Sequence, residues 1–326
     1  MELVSVAMAT YNGSRFLRQQ LDSILNQTYR GIEVVICDDR SQDNTVDILK
    51  EYSKANRNLH YYVNESRLGY IKNFERAIAL CAGNYIALSD QDDVWLREKI
   101  AVLLEEIGDD LLIHSDAKII NERGEILHSS FSEYSGKRVR EVSFGSVLIK
   151  NVVTCCTSLF KRALADKAGP FPSVIPHDHW LALMAIDEKS LKYCAKPLSL
   201  YRKHEGNLLG AKAKEKDYFM LSDDFKESGY FSKKRDSYYH NRFVRYVTLL
   251  NMSEKRLSEK NLRILSDIKE YHISFLTKRI RLKGFYLALK YIRILNQGKS
   301  AINMIKKTAI PLFGEGRAKS IPDSEG

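Results

Sequence analysis

The sequence has few cysteines and no long apolar run. Only five of its 326 residues are cysteine, without CxxC spacing, so neither a disulfide scaffold nor a cysteine-ligated metal cluster is expected. No stretch approaches the roughly 18 uncharged apolar residues that a membrane-spanning helix needs. The opening residues MELVSVAMATYNG lack the basic region of a signal peptide. We therefore expect a cytoplasmic protein with reduced thiols.

The overall composition shows no extreme, but the charge is unevenly distributed. Hydrophobic residues make up 44% and charged residues 28% of the chain, which indicates a globular protein rather than a disordered or fibrous one. Residues 211–326 hold 25 Lys and Arg against 13 Asp and Glu, whereas residues 1–210 hold 26 against 28. The net charge of +10 therefore belongs to the C-terminal region. Two regions with different functional surfaces are expected.

The first region alternates short apolar runs with amphipathic stretches. Apolar runs at 3–9, 32–39, 59–63 and 84–90 are each followed by a polar loop and then by apolar residues at helical spacing. Because parallel strands need helical crossovers, the pattern predicts an α/β domain with a mostly parallel sheet over residues 1–210. Ligands of such sheets bind at the carboxyl ends of the strands.

Polar loops follow all four predicted strands. They read TYN at 10–12, DDRSQD at 38–43, NESRLG at 64–69 and SDQDDVW at 89–95. The last loop carries Asp90, Asp92 and Asp93, just before a helix that we expect to begin near Val94. A helix cap needs one acid, whereas a divalent cation tolerates several, since carboxylate oxygens neutralise its charge. Asp90 and Asp92 would point to the same side of an extended segment, so the pattern predicts bound Mg²⁺ or Mn²⁺.

Three motifs together carry a family resemblance. The ordered succession VSVAMATYNGSRFLRQQL, IEVVICDDRSQDNTVDIL and NESRLGYIKNFERAIALCAGNYIALSDQDDVW resembles the family 2 glycosyltransferases with the GT-A fold (Rossmann-like, nucleotide-diphospho-sugar transferase), over residues 3–210. The nearest branch is the bacterial rhamnosyltransferase-like one, which builds surface polysaccharide. The resemblance implies inverting sugar transfer to a hydroxyl of a lipid-linked saccharide. Its first candidate donor is dTDP-L-rhamnose, and UDP-hexoses are the alternative.

The resemblance assigns donor-binding roles to residues of the strand-end loops. The matching positions are Thr10, Tyr11, Asn12, Asp39, Asn73, Asp90 and Asp92. Asp39 matches the acid that recognises a pyrimidine base, and Asp92 matches the metal ligand of the DxD motif, with Asp90 nearer the ribose and sugar. From the residues alone, Asp39 is equally well explained as a turn or capping residue. Tyr11 is equally well explained as a residue packed on the sheet edge.

Two later residues complete the predicted site. Asp178, at the start of a predicted amphipathic helix, is either a helix cap or, as the resemblance implies, the general base that deprotonates the acceptor hydroxyl. His204, in YRKHEGN, matches a histidine that contacts the metal or the diphosphate, and imidazole suits an oxygen-rich Mn²⁺ site. An isolated histidine is otherwise a surface or core residue. Arg67 and Lys72 are further candidates for the diphosphate.

The C-terminal region, 211–326, shows apolar residues at helical spacing among many Lys and Arg. One interpretation is a basic, mainly helical extension packed on the catalytic domain. The other is that the basic stretches 277–295 and 304–313 lie peripherally on the anionic inner face of the cell membrane. There is no repeat and no nucleic-acid-binding motif, so we expect no nucleic-acid partner.

Two other function classes explain less of the sequence. A nucleotidyltransferase shares the divalent metal and the α/β sheet, but no glycine-rich, lysine-bearing phosphate loop follows the first predicted strand. A nucleic-acid-binding module would use the basic tail, yet it leaves the clustered aspartates unexplained, because phosphates repel them. A metal-dependent glycosyltransferase is therefore the preferred hypothesis.

Overall fold

The computed structural model describes residues 1–136, 142–207, 245–253 and 256–277, the last seven by backbone only. The chain divides into two compact units. The first comprises Met1–Ser143 with Asn151–Ala213, and the second comprises Phe144–Lys150 with Lys214–Gly326. The domain boundary predicted at residue 210 lies outside the described residues.

The first unit is built on one nine-stranded sheet. The strands are β1 (Val4–Thr10), β2 (Ile32–Asp38), β3 (Leu59–Val63), β4 (Tyr85–Ser89), β5 (Val94–Trp95), β6 (Leu112–Ile120), β7 (Ile126–His128), β8 (Ser158–Lys161) and β9 (Leu191–Arg202). The helices of the described chain are α1 (Ser14–Leu25), α2 (Thr45–Ala55), α3 (Tyr70–Leu80), α4 (Lys99–Ile107), α5 (Phe131–Tyr134), α6 (Phe144–Ile149), α7 (Arg162–Ala168), α8 (His177–Asp187), α9 (245–253) and α10 (Glu259–Thr277). All of these helices except α6, α9 and α10 belong to the first unit.

The sheet has a parallel half and a mixed half. Its order is β3-β2-β1-β4-β8-β6-β9-β5, with β7 paired to β6. Strands β3, β2, β1 and β4 are parallel, and they are the four strands predicted from the sequence. Strand β8 runs antiparallel to both β4 and β6, whereas β6 and β9 are parallel. The α/β fold is confirmed, and the antiparallel pairings of β5, β7 and β8 are features that the alternating pattern did not predict.

The central strands are buried because helices cover both faces of the sheet. Val6 and Ala7 of β1 point to opposite faces of the sheet, and both are fully buried, as expected for a strand with neighbours on both edges and helices above and below. In α1, Leu17 and Leu21 lie one helical turn apart and are buried against this core. The packing fixes the strand ends, so the loops after β1, β2 and β4 meet along one edge.

Two helix predictions are corrected by tertiary contacts. No helix begins near Val94: Val94 and Trp95 form β5, which pairs with β9, and α4 begins only at Lys99. The backbone N–H of Trp95 donates to Ser23 Oγ at 3.0 Å, so this segment is held by distant partners rather than by a local helix. Helix α8 is not amphipathic, because its residues 179–185 are all buried.

The described residues of the second unit are mainly helical and form α6, α9 and α10. This agrees with the mainly helical prediction for the C-terminal region. The basic stretches of 278–295 and 304–313 lie outside the described residues. Within the described part of the chain, every helix is too short or too polar to cross a membrane.

Candidate functional site

The loops after β1 and β4 are joined by reciprocal hydrogen bonds. The Gln91 side chain accepts from the Tyr11 backbone N–H at 2.9 Å and donates to the Tyr11 carbonyl at 3.1 Å. Thr10 is buried, and its hydroxyl donates to Asp38 at 2.8 Å. Polar side chains that follow three different strands are thus brought into one continuous surface.

Asn12 connects the loop after β1 to the loop after β2. Its backbone N–H donates to Ser41 Oγ at 2.8 Å, and its side-chain oxygen accepts from the Gln42 N–H at 2.8 Å. Its φ of 47° lies in the left-handed region, which asparagine tolerates better than most residues. The TYN segment is therefore a tightly held turn.

The buried carboxylate of Asp39 organises the loop before α3. It accepts hydrogen bonds from Asn64 Nδ2 at 2.9 Å, from the Leu68 N–H at 2.7 Å and from the Gly69 N–H at 2.9 Å. Gly69 has a φ of 78°, which only glycine adopts readily. Asp39 thus fixes segment 64–69 beside the predicted donor site.

Asn73 is buried directly behind this loop. Its side-chain oxygen accepts from Asn64 Nδ2 at 2.8 Å, and its amide group donates to the Cys37 carbonyl at 2.8 Å. Both ends of the amide are therefore engaged by the protein, which makes Asn73 a brace between α3 and β2.

The two basic candidates of segment 67–77 differ in placement. The Arg67 guanidinium lies 3.8 Å from the centre of the Tyr11 ring, in a cation–π contact at the edge of the site. Lys72 instead donates to Glu75 at 2.6 Å and to the Phe171 carbonyl at 2.8 Å. Arg67 therefore lies beside Tyr11 at the edge of the site, whereas the Lys72 ammonium is engaged by Glu75 and Phe171.

The acidic loop after β4 forms a compact group. Asp90, Asp93 and Cys156 offer ligand atoms that all lie within 4.8 Å of one another. Asp93 is buried, and one of its oxygens accepts from the Arg202 backbone N–H at 2.9 Å. The other oxygen has no hydrogen-bonding partner among the described residues. Such a buried, unsatisfied oxygen is unfavourable unless a positive charge is bound nearby.

Burial, and after it the mutual repulsion of the carboxylates, sets the electrostatics of this group. Burial, followed by the charges of Asp93, Asp92 and Asp178, raises the pKa of Asp90 well above its ordinary value. Burial, followed by the charge of Asp92, raises the pKa of Asp93 to about 7. A divalent cation would relieve this repulsion, because it stabilises the ionised carboxylates.

Asp92 and His204 are in direct contact. The Nε2 atom of His204 lies 2.8 Å from Oδ2 of Asp92. The turn after β9 holds the histidine, since the His204 N–H donates to Asn207 Oδ1 at 2.5 Å. On its other side the His204 ring packs against Phe16, with the ring centres 4.9 Å apart. The two residues predicted to bind metal are thus brought together and oriented.

Asp178 lies in the first turn of α8, and its charge acts on Asp90. One oxygen of Asp178 accepts from the His179 N–H at 2.7 Å. The preceding His177 is buried and stacks on Phe74, with the ring centres 3.9 Å apart. Burial lowers the pKa of His177 to about 3, so its ring is neutral at physiological pH. The predicted base therefore lies close enough to the acidic loop for its charge to act on Asp90, and it follows a neutral imidazole in the chain.

Sequence reasoning missed three residues of the site. Gln91 stands between Asp90 and Asp92, and the local sequence does not indicate its two hydrogen bonds to Tyr11. Arg202 is buried at the end of β9 and donates from Nε to the Asp92 carbonyl at 2.8 Å. Lys99 is also buried, and its ammonium lies 3.4 Å from the centre of the Trp95 ring. Burial lowers the pKa of Lys99 to about 7. An Arg or a Lys in a polar stretch gives no sequence signal of such burial.

The donor set fits a hard divalent cation. Carboxylate oxygens with one imidazole are typical ligands of Mn²⁺ and Mg²⁺. Asp92 and His204 are oriented towards each other, and Asp93 supplies a buried oxygen that lacks a partner among the described residues. The Cys156 thiol, whose pKa is raised well above its ordinary value by burial, is not expected to serve as a thiolate ligand.

Comparisons with known proteins identify the family of the chain. The model of the family Glycosyl transferase family 2 matches residues 5–167. The chain is 29% identical over 228 residues to the UDP-Glc:alpha-D-GlcNAc-diphosphoundecaprenol beta-1,3-glucosyltransferase WfaP of Escherichia coli. The matched region covers 66% of this chain and 83% of WfaP. It is 30% identical to the dTDP-rhamnosyl transferase RfbG of Shigella flexneri, over 63% of this chain and 74% of the relative.

The fold has a counterpart among solved structures. The structure of S. aureus TarS 1–349 in complex with UDP-GlcNAc superposes with a TM-score of 0.55 at 20% identity, over 95% of this chain and 81% of TarS. At this identity the likeness concerns the fold, which is of the GT-A type. The chain therefore belongs to Glycosyl transferase family 2 and is a glycosyltransferase.

Proposed function

We propose that this chain transfers a sugar, with inversion, from a nucleoside diphosphate donor to a hydroxyl of a growing lipid-linked surface saccharide, with Mg²⁺ or Mn²⁺ bound. The observation that carries the proposal is the contact between Asp92, in the acidic loop after β4, and His204, in the turn after β9, whose side chains lie 2.8 Å apart. The charge of Asp178 acts on Asp90 in the same acidic loop. A metal-ligand pair and a candidate base are the groups that such a transfer requires.

The donor lies, in this proposal, across the loops after β1, β2 and β4. Thr10, Tyr11 and Asn12 embrace the nucleotide, and Arg67 beside Tyr11 supplies positive charge at the same edge. Asp39 faces the pyrimidine base; its hydrogen bonds from Leu68 and Gly69 keep the carboxylate in one orientation. Asn73 supports this loop from behind.

The acidic loop holds the diphosphate end of the donor. Asp92 and His204 are the proposed metal ligands, Asp90 lies nearer the ribose and sugar, and Asp93 supports them from the buried side. A bound Mg²⁺ or Mn²⁺ supplies positive charge that stabilises the departing diphosphate. The protein contributes a preformed arrangement of carboxylates, so little reorganisation is needed when the donor binds.

Asp178 acts as the general base. It accepts the proton of the acceptor hydroxyl while that oxygen forms a bond to the anomeric carbon of the donor. The bond between the anomeric carbon and the diphosphate oxygen breaks, and its electron pair leaves with the nucleoside diphosphate. A single displacement of this kind inverts the anomeric centre. The buried, neutral His177 does not compete for the proton, because burial lowers its pKa to about 3.

Two donors are carried forward, dTDP-L-rhamnose first and UDP-glucose second. The relatives named for these donors are 30% and 29% identical to the chain, so similarity does not rank the two. One methyl or hydroxyl group is discriminated by only a few pocket contacts. The diphosphoundecaprenol in the name of WfaP supports a lipid-linked acceptor for this chain too.

The proposed catalytic domain spans residues 1–210, and the basic region 211–326 is proposed to lie against the anionic inner face of the membrane. Its support is the charge distribution, with 25 Lys and Arg against 13 Asp and Glu in that region. Binding to phosphatidylglycerol-containing vesicles should weaken in high salt and with neutral vesicles. Binding that responds to neither change contradicts this placement.

The decisive experiment measures nucleoside diphosphate release from dTDP-rhamnose, UDP-glucose, UDP-galactose and UDP-N-acetylglucosamine, with Mn²⁺, Mg²⁺ or chelator and a diphosphoprenyl-linked acceptor. One donor should be consumed only with metal, and Asp92→Ala should abolish release while the exposed-site control Asp109→Asn retains it. Release that persists in chelator contradicts the metal dependence. Release of pyrophosphate instead would support a nucleotidyltransferase.

A further inference from the structure

Arg202 connects the acidic loop to the rest of the site. It ends β9 and is only 1% exposed, although its neighbour Lys203 is accessible enough to reach the exposed Tyr134. Its backbone N–H donates to Asp93 Oδ1 at 2.9 Å, and its side-chain Nε donates to the Asp92 carbonyl at 2.8 Å. One residue therefore holds two successive residues of the acidic loop, from two directions.

The remaining nitrogens of the guanidinium extend the connection to two other elements. Nη1 donates to the carbonyls of Asn121 and Glu122, each at 3.1 Å, just beyond the end of β6. Nη2 donates to Gln19 Oε1, in α1, at 2.6 Å. The planar, forked guanidinium has enough donors for all of these acceptors, which a lysine ammonium does not match in geometry.

The same guanidinium also contacts the ring that supports His204. Its central carbon lies 4.7 Å from the centre of the Phe16 ring, and the His204 ring lies 4.9 Å from Phe16. Phe16 is thus shared between Arg202 and His204. A shift of Arg202 would therefore displace both proposed metal ligands, Asp92 through the hydrogen bond to its carbonyl and His204 through the Phe16 ring.

The charge of Arg202 is available to the acidic loop. Its side-chain acceptors named above are neutral carbonyl and amide oxygens, so these hydrogen bonds do not neutralise the guanidinium. A buried positive charge next to Asp92 and Asp93 offsets part of the repulsion between these carboxylates. The loop can then keep its geometry before a cation binds.

We infer that Arg202 is a positioning residue, which sets the spacing of Asp92 and His204 and so determines the affinity for the divalent cation. The inference rests on the proposed function. It adds that the affinity depends on a residue that does not itself contact the metal. Loss of a supporting contact behind metal ligands typically weakens metal binding by about 10 to 100-fold.

The test measures Mn²⁺ binding by electron paramagnetic resonance, with and without UDP, on the full chain. Arg202→Lys should raise the Kd for Mn²⁺ by about 10 to 100-fold. Gln19 is exposed, and Gln19→Ala removes one of the oxygens that accept a hydrogen bond from the Arg202 guanidinium. This substitution should raise the Kd for Mn²⁺ by less than Arg202→Lys does. The matched control is Arg18→Lys, which disrupts an exposed bidentate salt bridge between Arg18 and Glu51. It should leave the Kd for Mn²⁺ unchanged.

The outcomes separate this inference from the proposed function. UDP affinity in chelator should be the same in all variants, because Arg202 acts through the metal ligands. A wild-type Kd for Mn²⁺ in Arg202→Lys overturns the positioning role alone. If that variant does not fold, an unchanged Kd in Gln19→Ala overturns it. A wild-type protein that binds UDP but no Mn²⁺ overturns both proposals.

Discussion

The imidazole of His204 lies 2.8 Å from the carboxylate of Asp92, although 112 residues separate them in the chain. The contact joins the loop after β4 to the turn after β9, strands that are not neighbours in the sheet. Only the folding of the first unit creates this pair, and the proposed metal chemistry depends on it.

Replacing His204 with asparagine should weaken Mn²⁺ binding by at least about tenfold, because one ligand and its hydrogen bond to Asp92 are lost. Calorimetric titration with Mn²⁺ in the presence of UDP measures the effect. The matched control is His60→Asn, at an exposed histidine of β3. Equal Mn²⁺ affinity in both variants would show that His204 is not a ligand.

Replacing Asp178 with asparagine should lower kcat by about 10² to 10⁴-fold, the usual contribution of a general base. The affinity for the donor should remain, since the amide preserves the size of the side chain. Glu188→Gln, just beyond the other end of α8, is the control and should retain kcat. Steady-state kinetics with a fluorescent nucleotide competition assay separates the two parameters. A normal turnover rate in Asp178→Asn excludes the base assignment.

The stability of the metal-free protein should depend on pH through Asp93. Its pKa is raised from 3.8 to about 7 by burial and then by the charge of Asp92. Between these values the folded form binds the proton and the unfolded form does not, so the contribution of Asp93 to stability falls as the pH rises. It is constant below about pH 4 and above about pH 7. His177, with a lowered pKa of about 3, contributes in the opposite direction.

A comparison with Asp93→Asn tests this effect, because His177 is common to both proteins. The substitution also removes the charge of Asp93 that helps to raise the pKa of Asp90, so the pH dependence from both carboxyls is reduced together. The free energy of unfolding of Asp93→Asn should exceed that of the wild type by an amount that grows between pH 4 and 7, by up to about 1.4 kcal/mol per pH unit. Urea unfolding in chelator at several pH values measures it. Parallel pH curves for the two proteins would mean that Asp93 is not protonated in the folded state.

Gly13→Ala should disturb the joined loops after β1 and β4. A Cβ atom at Gly13 would lie 2.2 Å from Gln91 Oε1, so the Gln91 side chain must move away and lose its two hydrogen bonds to Tyr11. The expected loss of stability is about 1 to 3 kcal/mol, accompanied by weaker UDP binding. Gln91→Ala should cause a similar loss.

A double-mutant cycle tests this mechanism. Because Gly13→Ala acts by displacing Gln91, the double variant should be little worse than either single variant. Thermal unfolding and UDP titration of the four proteins supply the data. Strictly additive effects on stability would show that the two positions act independently.

The parallel half of the fold could be predicted because its information is local. The valine-rich runs at 3–9 and 32–39 mark buried strands, and α1 shows helical spacing within twelve residues. The strand-end rule then placed Asp39, Asp90 and Asp92 at one edge. The prediction of a helix near Val94 was wrong, because Val94 and Trp95 instead form β5, which pairs with β9 about a hundred residues later. No local sequence pattern indicates such a distant pairing.

By itself, the sequence determined which residues are available for chemistry and on which strand ends they lie, since apolar periodicity and loop composition are local properties. Only the tertiary structure decided how they are combined. It brought His204 to Asp92, bonded Lys72 to the distant Phe171 carbonyl, and buried Arg202 and Lys99 beside the carboxylates. Such choices depend on the free energy of burying charges and matching donors across distant segments, which no short stretch of sequence contains.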